Sequence, residues 1–138
     1  MSFAIEPAPI VIDASFAVAL ITGDEASQLA FREAIASSAP LIVPPHFWVE
    51  MANALLRGVR LAAPDVTMRL ERLGATGIGV ADRGLAGILE SVALAERHRL
   101  TVYDAAYLQL AVDVDGTLAT FDDDLRRAAT SDQVPLLV

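Results

Sequence analysis

Acidic residues stand in this sequence where a carboxylate is able to do chemistry rather than only face water. Asp104 interrupts the stretch "TVYDAAYLQLAV", which has the pattern of a helix that is apolar on nearly every side. An ionised carboxylate in a dry interior is costly unless it is paired or bound to a metal ion. Asp104 therefore either caps the helix at a wet edge or faces a cation.

Three further acids share this property. Asp13 directly follows the strand-like run "PIVI", and Asp122 directly follows "TLAT". In open α/β sheets, ligands bind at the carboxyl ends of the strands. Glu50 lies in the helical stretch "PPHFWVEMANALLRGVR", on a polar stripe that it shares with Asn53 and two arginines.

Each acid also has a simpler explanation. Asp13 and Asp122 would serve as helix caps, and the stripe of Glu50 would be the solvent face of an amphipathic helix. Carboxylates that converge, however, raise one another's pKa and need a cation. Mg²⁺ or Mn²⁺ accepts oxygen ligands, activates water and holds a phosphodiester for in-line attack. Sequence order does not show convergence, so both explanations stay open at this point.

Short apolar runs alternate with helical patterns, which predicts an α/β fold with a mainly parallel sheet. The predicted strands are 9–12, 41–43, 77–80, 117–120 and a fifth at 135–138. The predicted helices are 26–37, 45–60, 64–73, 83–98, 103–112 and 122–129. Asp82 is expected to cap the fourth of these helices. Tyr103, Tyr107 and Leu110 are expected to pack in the core.

The composition predicts a single domain spanning residues 1–138, with an apolar fraction of 54% that suits a well-filled core. The chain has no cysteine, which excludes disulfides and thiolate zinc sites. All ten cationic residues are arginines, so lysine Schiff-base chemistry and Walker-type phosphate loops are excluded. The net charge of −8 is unfavourable for a nucleic-acid binder, although arginines bind phosphates bidentately.

The N-terminal stretch "MSFAIEPAPIVID" lacks the positive region of an export signal. No apolar run approaches the roughly 20 residues of a membrane span. We therefore expect a cytoplasmic protein.

Four fragments together resemble the PIN-domain family, and within it the VapC toxins of bacterial toxin–antitoxin pairs. They are "VIDASFAVAL", "PPHFWVEMANALLR", "LTVYDAAYLQLA" and "LATFDDDLRRAA", which carry Asp13, Glu50, Asp104 and Asp122 in this order. The resemblance implies a PIN-like α/β fold, with a central five-stranded parallel sheet flanked by helices and the acids at its C-terminal edge.

The resemblance also implies a site. The four acids would bind Mg²⁺ or Mn²⁺, and activated water would cleave RNA to leave a 5′-phosphate and a 3′-hydroxyl. Asp124 is the reserve for Asp122 as a ligand. Ser15 and Thr120 stand where the family often places small hydroxyl residues, which would support the ligands.

Partners follow from the same resemblance. VapC toxins usually form homodimers, act on RNAs such as tRNA or rRNA, and are silenced by a VapB antitoxin that occupies the cleft. The candidates for phosphate contacts are Arg57, Arg60, Arg126 and Arg127. His46 and His98 match no ligand of the family and are expected at helix ends.

Three other functions compete with this one. A phospho-receiver domain needs an acidic pair after its first strand and a lysine after its last, whereas this chain has a single Asp13 and no lysine. A PIN-like domain that binds without cutting is disfavoured by the presence of all four acids. A nuclease that acts on DNA or in RNA processing, rather than as a toxin, stays open.

Overall fold

The computed structural model describes residues 6–138. Residues 1–5, the start of the N-terminal stretch that lacks the positive region of an export signal, lie outside the described residues. The strands are β1 (Ile10–Ile12), β2 (Leu41–Val43), β3 (Gly79–Val80) and β4 (Thr117–Ala119). The helices are α1 (Ala14–Ile21), α2 (Glu25–Ala36), α3 (Phe47–Asn53), α4 (Ala63–Gly74), α5 (Gly84–His98), α6 (Val102–Asp113) and α7 (Asp123–Ser131).

The strands form a parallel sheet in the order β3-β2-β1-β4, flanked by helices. Strand β1 is central, because Ile10 pairs with Leu41 of β2 on one side and with Thr117 of β4 on the other. All three residues of β1 are buried, as expected for a strand covered on both faces. The carboxyl ends of β1 and β4 therefore lie side by side.

The expected five-stranded sheet is wrong, since the described chain has a sheet of four strands. The run 135–138 forms only an isolated parallel bridge, between Leu136 and Leu118. Pro135 accepts a hydrogen bond from Leu118 N–H through its carbonyl oxygen. Because proline has no N–H to donate, the pairing cannot extend into a regular ladder at this end.

Most helices lie within two residues of their predicted bounds, with three differences. Helix α1 was not expected, since "ASFAVALI" is apolar at seven of eight positions and shows no helical periodicity. The predicted helix 45–60 changes at Ala54 into a π-helical turn, Ala54–Gly58. Asp82 is not the N-cap of α5: Gly84 adopts a φ of +61°, and Asp82 accepts a hydrogen bond from Gly84 N–H instead.

The core lies between the sheet and the helices α1, α3, α6 and α7. Its largest fully buried side chains include Tyr107, Phe16, Phe47, Ile12, Met51, Leu55, Leu108, Leu118 and Leu125. Leu110 is buried as expected. Among residues 6–138, no helix is both long enough and apolar enough to cross a membrane.

Candidate active site

Asp13 lies at the end of β1 and caps α1. Its Oδ1 accepts hydrogen bonds from Phe16 N–H at 2.9 Å and from the Ser15 hydroxyl at 2.7 Å, and its Oδ2 accepts one from the Thr120 hydroxyl. The side chain is buried, with 3% exposed. Burial raises the pKa of Asp13 and outweighs the lowering by these hydrogen bonds, and the charge of Glu50 raises it further.

Two hydroxyl groups join the ends of β1 and β4. The buried Thr120 Oγ1 donates to Asp13 and accepts from Asp122 N–H at 3.0 Å. Ser15 Oγ donates to Asp13 and accepts from Phe121 N–H at 2.8 Å. Ser15 and Thr120 thus contact the first acid directly, and Thr120 also contacts the backbone of the last.

Glu50 faces α6 rather than open solvent. The hydroxyl of Tyr107, a fully buried residue of α6, donates a hydrogen bond to Glu50 Oε1 at 2.5 Å. Burial, followed by the hydrogen bond to Glu50, raises the pKa of Tyr107 far above its ordinary value, so the phenol stays a donor. The solvent-face explanation is therefore wrong for Glu50, although Asn53 on the same predicted stripe is exposed.

Asp104 lies in the first turn of α6 and is partly buried. It is not the cap of this helix, because Thr101 Oγ1 accepts the hydrogen bond from Asp104 N–H. Burial raises the pKa of Asp104 to about 6, with further increases from the charges of Asp122, Glu50 and Asp13. The fold thus brings the charges of all four candidate acids close enough to interact.

Asp122 caps α7 by accepting a hydrogen bond from Leu125 N–H at 2.8 Å. Its neighbour Asp124, the reserve candidate, is exposed and pairs with Arg127 at 3.5 Å. The negative charge of Asp122 raises the pKa of Asp104 on α6. These contacts favour Asp122 over Asp124 as a member of the acidic site.

The donor chemistry of the four acids fits a hard divalent cation, since every candidate ligand atom is a carboxylate oxygen. In the part of the chain that the structure describes, none of the four forms an ion pair with an arginine or a histidine. As the side chains stand, no three acidic or histidine groups among residues 6–138 surround a common point. Binding of an ion would therefore require some of the four carboxylates to move toward it.

The role of Tyr107 was not predicted, and the position expected for Tyr103 is wrong. Tyr107 was expected only to pack, yet its hydroxyl holds Glu50. Two features of the sequence indicate this role. Tyr107 lies three residues after Asp104 on the same helix face, and a buried phenol needs a hydrogen-bond partner. Tyr103 was expected in the core, but 65% of it is exposed.

The candidate phosphate-binding arginines divide into two pairs. Arg126 donates hydrogen bonds to the carbonyl oxygens of Thr120 and Val138, and Arg127 pairs with an aspartate of its own helix. Arg57 and Arg60 are exposed at the surface. The second pair is therefore better placed to meet a ligand.

Both histidines lie at helix ends, as expected. His46 precedes α3, and its ring packs against Tyr107 at 5.0 Å and Tyr103 at 5.7 Å between ring centres. His98 ends α5, and its Nε2 lies 3.0 Å from Asp132 Oδ2. Neither histidine is bonded to one of the four acids within the described chain.

Comparison with known proteins gives a match in sequence over most of the chain. Residues 10–131 match the PIN domain family. Ribonuclease VapC3 of Pyrobaculum aerophilum is 34% identical over 120 residues, which cover 84% of this chain and 91% of that protein.

Solved structures match the fold at lower identity. The crystal structure of PAE2754 from Pyrobaculum aerophilum has a TM-score of 0.69 at 22% identity, covering 88% of this chain and 79% of that one. Mycobacterium tuberculosis VapC20, a toxin that cleaves the sarcin–ricin loop, has a TM-score of 0.68 at 20% identity, covering 86% and 94%. A toxin–antitoxin complex from Klebsiella pneumoniae gives 0.59 at 19% identity, covering 82% and 86%.

Proposed function

Because the chain belongs to the PIN-domain family, we propose that it is an endoribonuclease that acts as the toxin of a type II toxin–antitoxin pair. Its relatives include a ribonuclease of the VapC type and, by fold, a toxin that cleaves an RNA loop. The observation that carries the proposal is the family match over residues 10–131, within which Asp13 and Asp122 follow neighbouring strands and Glu50 and Asp104 lie on α3 and α6. Such a cluster is costly unless it binds a cation.

The proposed metal ligands are Asp13, Glu50, Asp104 and Asp122, and the proposed ion is Mg²⁺ or Mn²⁺. When bound, such an ion lowers the pKa of water and stabilises charge on the phosphate. The oxygen-only donor set and the absence of paired cations among the described residues support this assignment. The expected products are a 5′-phosphate and a 3′-hydroxyl.

The chain's own residues orient the proposed ligands of this site. Ser15, Thr120 and the N–H of Phe16 hold both oxygens of Asp13, so its carboxylate has little freedom to rotate. The Tyr107 hydroxyl fixes one oxygen of Glu50 and leaves the other free to bind. Fixed ligands keep the reacting groups in register, which is the main contribution of a protein to such catalysis.

We further propose a VapB-type antitoxin and a second copy of this chain as partners, and the cytoplasm as the location. A toxin–antitoxin complex among the structural matches supports the antitoxin. Helix α5 supports the homodimer, because it exposes an apolar row at helical spacing. This row consists of Leu85, Ile88, Leu89 and Val92, with exposed fractions of 69%, 54%, 61% and 48%.

Expression in a bacterial host tests the toxin role. Growth should stop when the chain is induced and resume when the product of the neighbouring gene is co-expressed. The variant Asp13→Ala should not stop growth, because it lacks a proposed ligand. Sequencing of new RNA 5′ ends in the arrested cells then identifies the substrate. Unchanged growth with folded wild-type protein would favour a role in RNA processing instead.

A further inference from the structure

Two exposed aromatic side chains stand next to two of the acids. Tyr103 directly precedes Asp104, and 65% of it is exposed; Phe121 directly precedes Asp122, and 41% of it is exposed. Adjacent residues have Cα atoms only about 3.8 Å apart. Tyr103 also lies four residues before Tyr107, whose hydroxyl binds Glu50, so both tyrosines lie on the same face of α6, close to the acids.

The ring of Tyr103 packs against a neighbouring histidine. The His46 ring packs edge-on against it at 5.7 Å between centres, and His46 Nε2 lies 3.1 Å from the Tyr103 carbonyl oxygen. The same His46 ring packs against Tyr107 at 5.0 Å, and Tyr107 binds Glu50. The exposed ring is therefore connected through two aromatic contacts to a proposed ligand.

Phe121 has a similar support. Its ring stacks on Phe16 with 6.0 Å between centres and 22° between planes. Phe16 is fully buried, and its N–H donates to Asp13. The N–H of Phe121 donates to Ser15 Oγ. On this side, too, an exposed ring packs on a buried aromatic residue, whose backbone N–H contacts an acid.

The charge of the molecule favours contacts to bases over contacts to phosphates. The net charge is −8, and because Arg126 and Arg127 contact the protein itself, Arg57 and Arg60 are the two candidate arginines that remain for phosphate contacts. Stacking of a base on an aromatic ring needs no positive charge and accepts any base. In a duplex the base faces are already covered by their neighbours, so only unpaired nucleotides are able to stack in this way.

We propose that Tyr103 and Phe121 are stacking platforms that bind unpaired bases of the RNA next to the cleaved bond. This inference rests on the proposed ribonuclease function and assigns the residues that position its substrate. The rings bind the nucleobases, while the acids act on the phosphate between them. Affinity for RNA is then carried largely by the bases, and its dependence on salt is weak for a nucleic-acid-binding protein.

The test uses an RNA oligonucleotide of about ten nucleotides that the wild-type protein cleaves, and a series in which one abasic nucleotide is moved along it. The protein variants are Tyr103→Ala, the ring-preserving Tyr103→Phe, Phe121→Leu and, as a matched exposed control outside the proposed dimer interface, Leu29→Ala. We measure KM and kcat with Mg²⁺. Binding is also measured with EDTA, by fluorescence anisotropy.

Tyr103→Ala should raise KM and weaken metal-free binding about tenfold with a smaller change in kcat, and Tyr103→Phe should stay within about twofold of wild type. Phe121→Leu should also raise KM, because leucine keeps the apolar contact with Phe16 but lacks a stacking face. An abasic nucleotide at one position should weaken wild-type binding and have no further effect in Tyr103→Ala.

Additive effects of the abasic site and Tyr103→Ala at every position would overturn the inference. It would also be overturned if the variant bound RNA like wild type but lost affinity for the antitoxin, which would make the ring a protein contact. A wild-type protein that cleaves RNA without dependence on Tyr103 contradicts this inference alone. A wild-type protein that cleaves no RNA contradicts the ribonuclease proposal as well.

Discussion

The ionisation of Asp104 depends on its burial and on three neighbouring charges. These raise its pKa from 3.8 to about 6. Between these two pH values, Asp104 is therefore protonated in the folded, metal-free protein but ionised in the unfolded chain. The free energy of unfolding therefore falls as the pH rises from about 4 to 6, and the full penalty is present above about pH 6. A bound cation would remove this penalty on the free energy of unfolding.

Asp104→Asn should accordingly stabilise the metal-free protein at pH 8 and leave it unchanged at pH 4. The gain is about 1 kcal/mol, since solvent screens a partly exposed group, and it corresponds to about 3 °C in Tm. Thermal unfolding in EDTA at both pH values measures it. The control Glu71→Gln, at an exposed position of α4, should change stability little. A loss of stability at pH 8 would show that Asp104 has a structural role.

Thr120 is the residue whose removal should disturb the site without removing an acid. Thr120→Val keeps the volume of this buried side chain but loses the hydrogen bonds to Asp13 and from Asp122 N–H. We expect a loss of about 1–3 kcal/mol in urea unfolding and a clear fall in cleavage rate. Thr120→Ser keeps the hydroxyl and should retain most of the activity. Equal rates for the valine and serine variants would mean that this hydroxyl does not orient Asp13.

The four acids were proposed from the sequence by their positions after strands and in helices, but the residues that contact them were not. Tyr107 lies in an apolar run that is typical of the core, and only the position of α6 beside α3 in the structure shows that its hydroxyl contacts Glu50. Tyr103 belongs to the same apolar run and nonetheless points outward. Helical patterns that are apolar all round do not specify which side faces the core.

Among the elements, strand β4 depends on a close approach of two backbones. A Cβ atom on Gly116 would lie 2.5 Å from the carbonyl oxygen of Pro9, which accepts the hydrogen bond from Thr117 N–H. Since backbone atoms cannot move aside as a side chain does, only glycine fits at this point. The pairing of β4 with β1 places Thr120 beside Asp13, so the site depends on it.

Gly116→Ala should therefore destabilise the protein by about 1–3 kcal/mol and reduce cleavage, because it pushes β4 away from β1. Chemical denaturation measures the first effect and the cleavage rate the second. Gly58→Ala, where an added Cβ meets nothing within 4 Å, is the matched control and should be neutral or slightly stabilising. If Gly116→Ala were as stable as the wild-type protein, this result would contradict the close approach of the Gly116 and Pro9 backbones.

The elements themselves were largely predictable, and the exceptions have local causes. Short apolar runs gave the strands, and proline and acidic residues marked the helix starts at Pro45 and Pro64. The missed helix α1 follows a strand directly and is too apolar to show a period. The π-helical turn after Asn53, which contains the buried Leu55, has no signal in the sequence.

At the level of the assembled protein, the apolar row of α5 predicts self-association. Leu89→Glu places a charge in the proposed interface and should shift the protein from dimer to monomer in sedimentation, with little loss of stability because this side chain is exposed. Leu29→Glu on α2, exposed to a similar extent at 52%, should leave the dimer intact. A wild-type monomer at all concentrations would contradict the proposed homodimer.

Proximity of the acids is the property that the sequence could not show, because it arises from the parallel order of β1 and β4 and from the positions of α3 and α6 beside them. Residues 13, 50, 104 and 122 are far apart along the chain, yet three of their charges act on the fourth. The central claim is that this cluster cleaves RNA with a divalent ion.

The most direct measurement is cleavage of single-stranded RNA by the purified protein with Mg²⁺ or Mn²⁺, compared with EDTA and with Asp13→Ala, Glu50→Gln, Asp104→Asn and Asp122→Asn. We predict cleavage that stops in EDTA and falls more than about 100-fold in each variant, while the control Asp124→Asn stays active. Cleavage that survives both EDTA and Asp13→Ala would contradict the account.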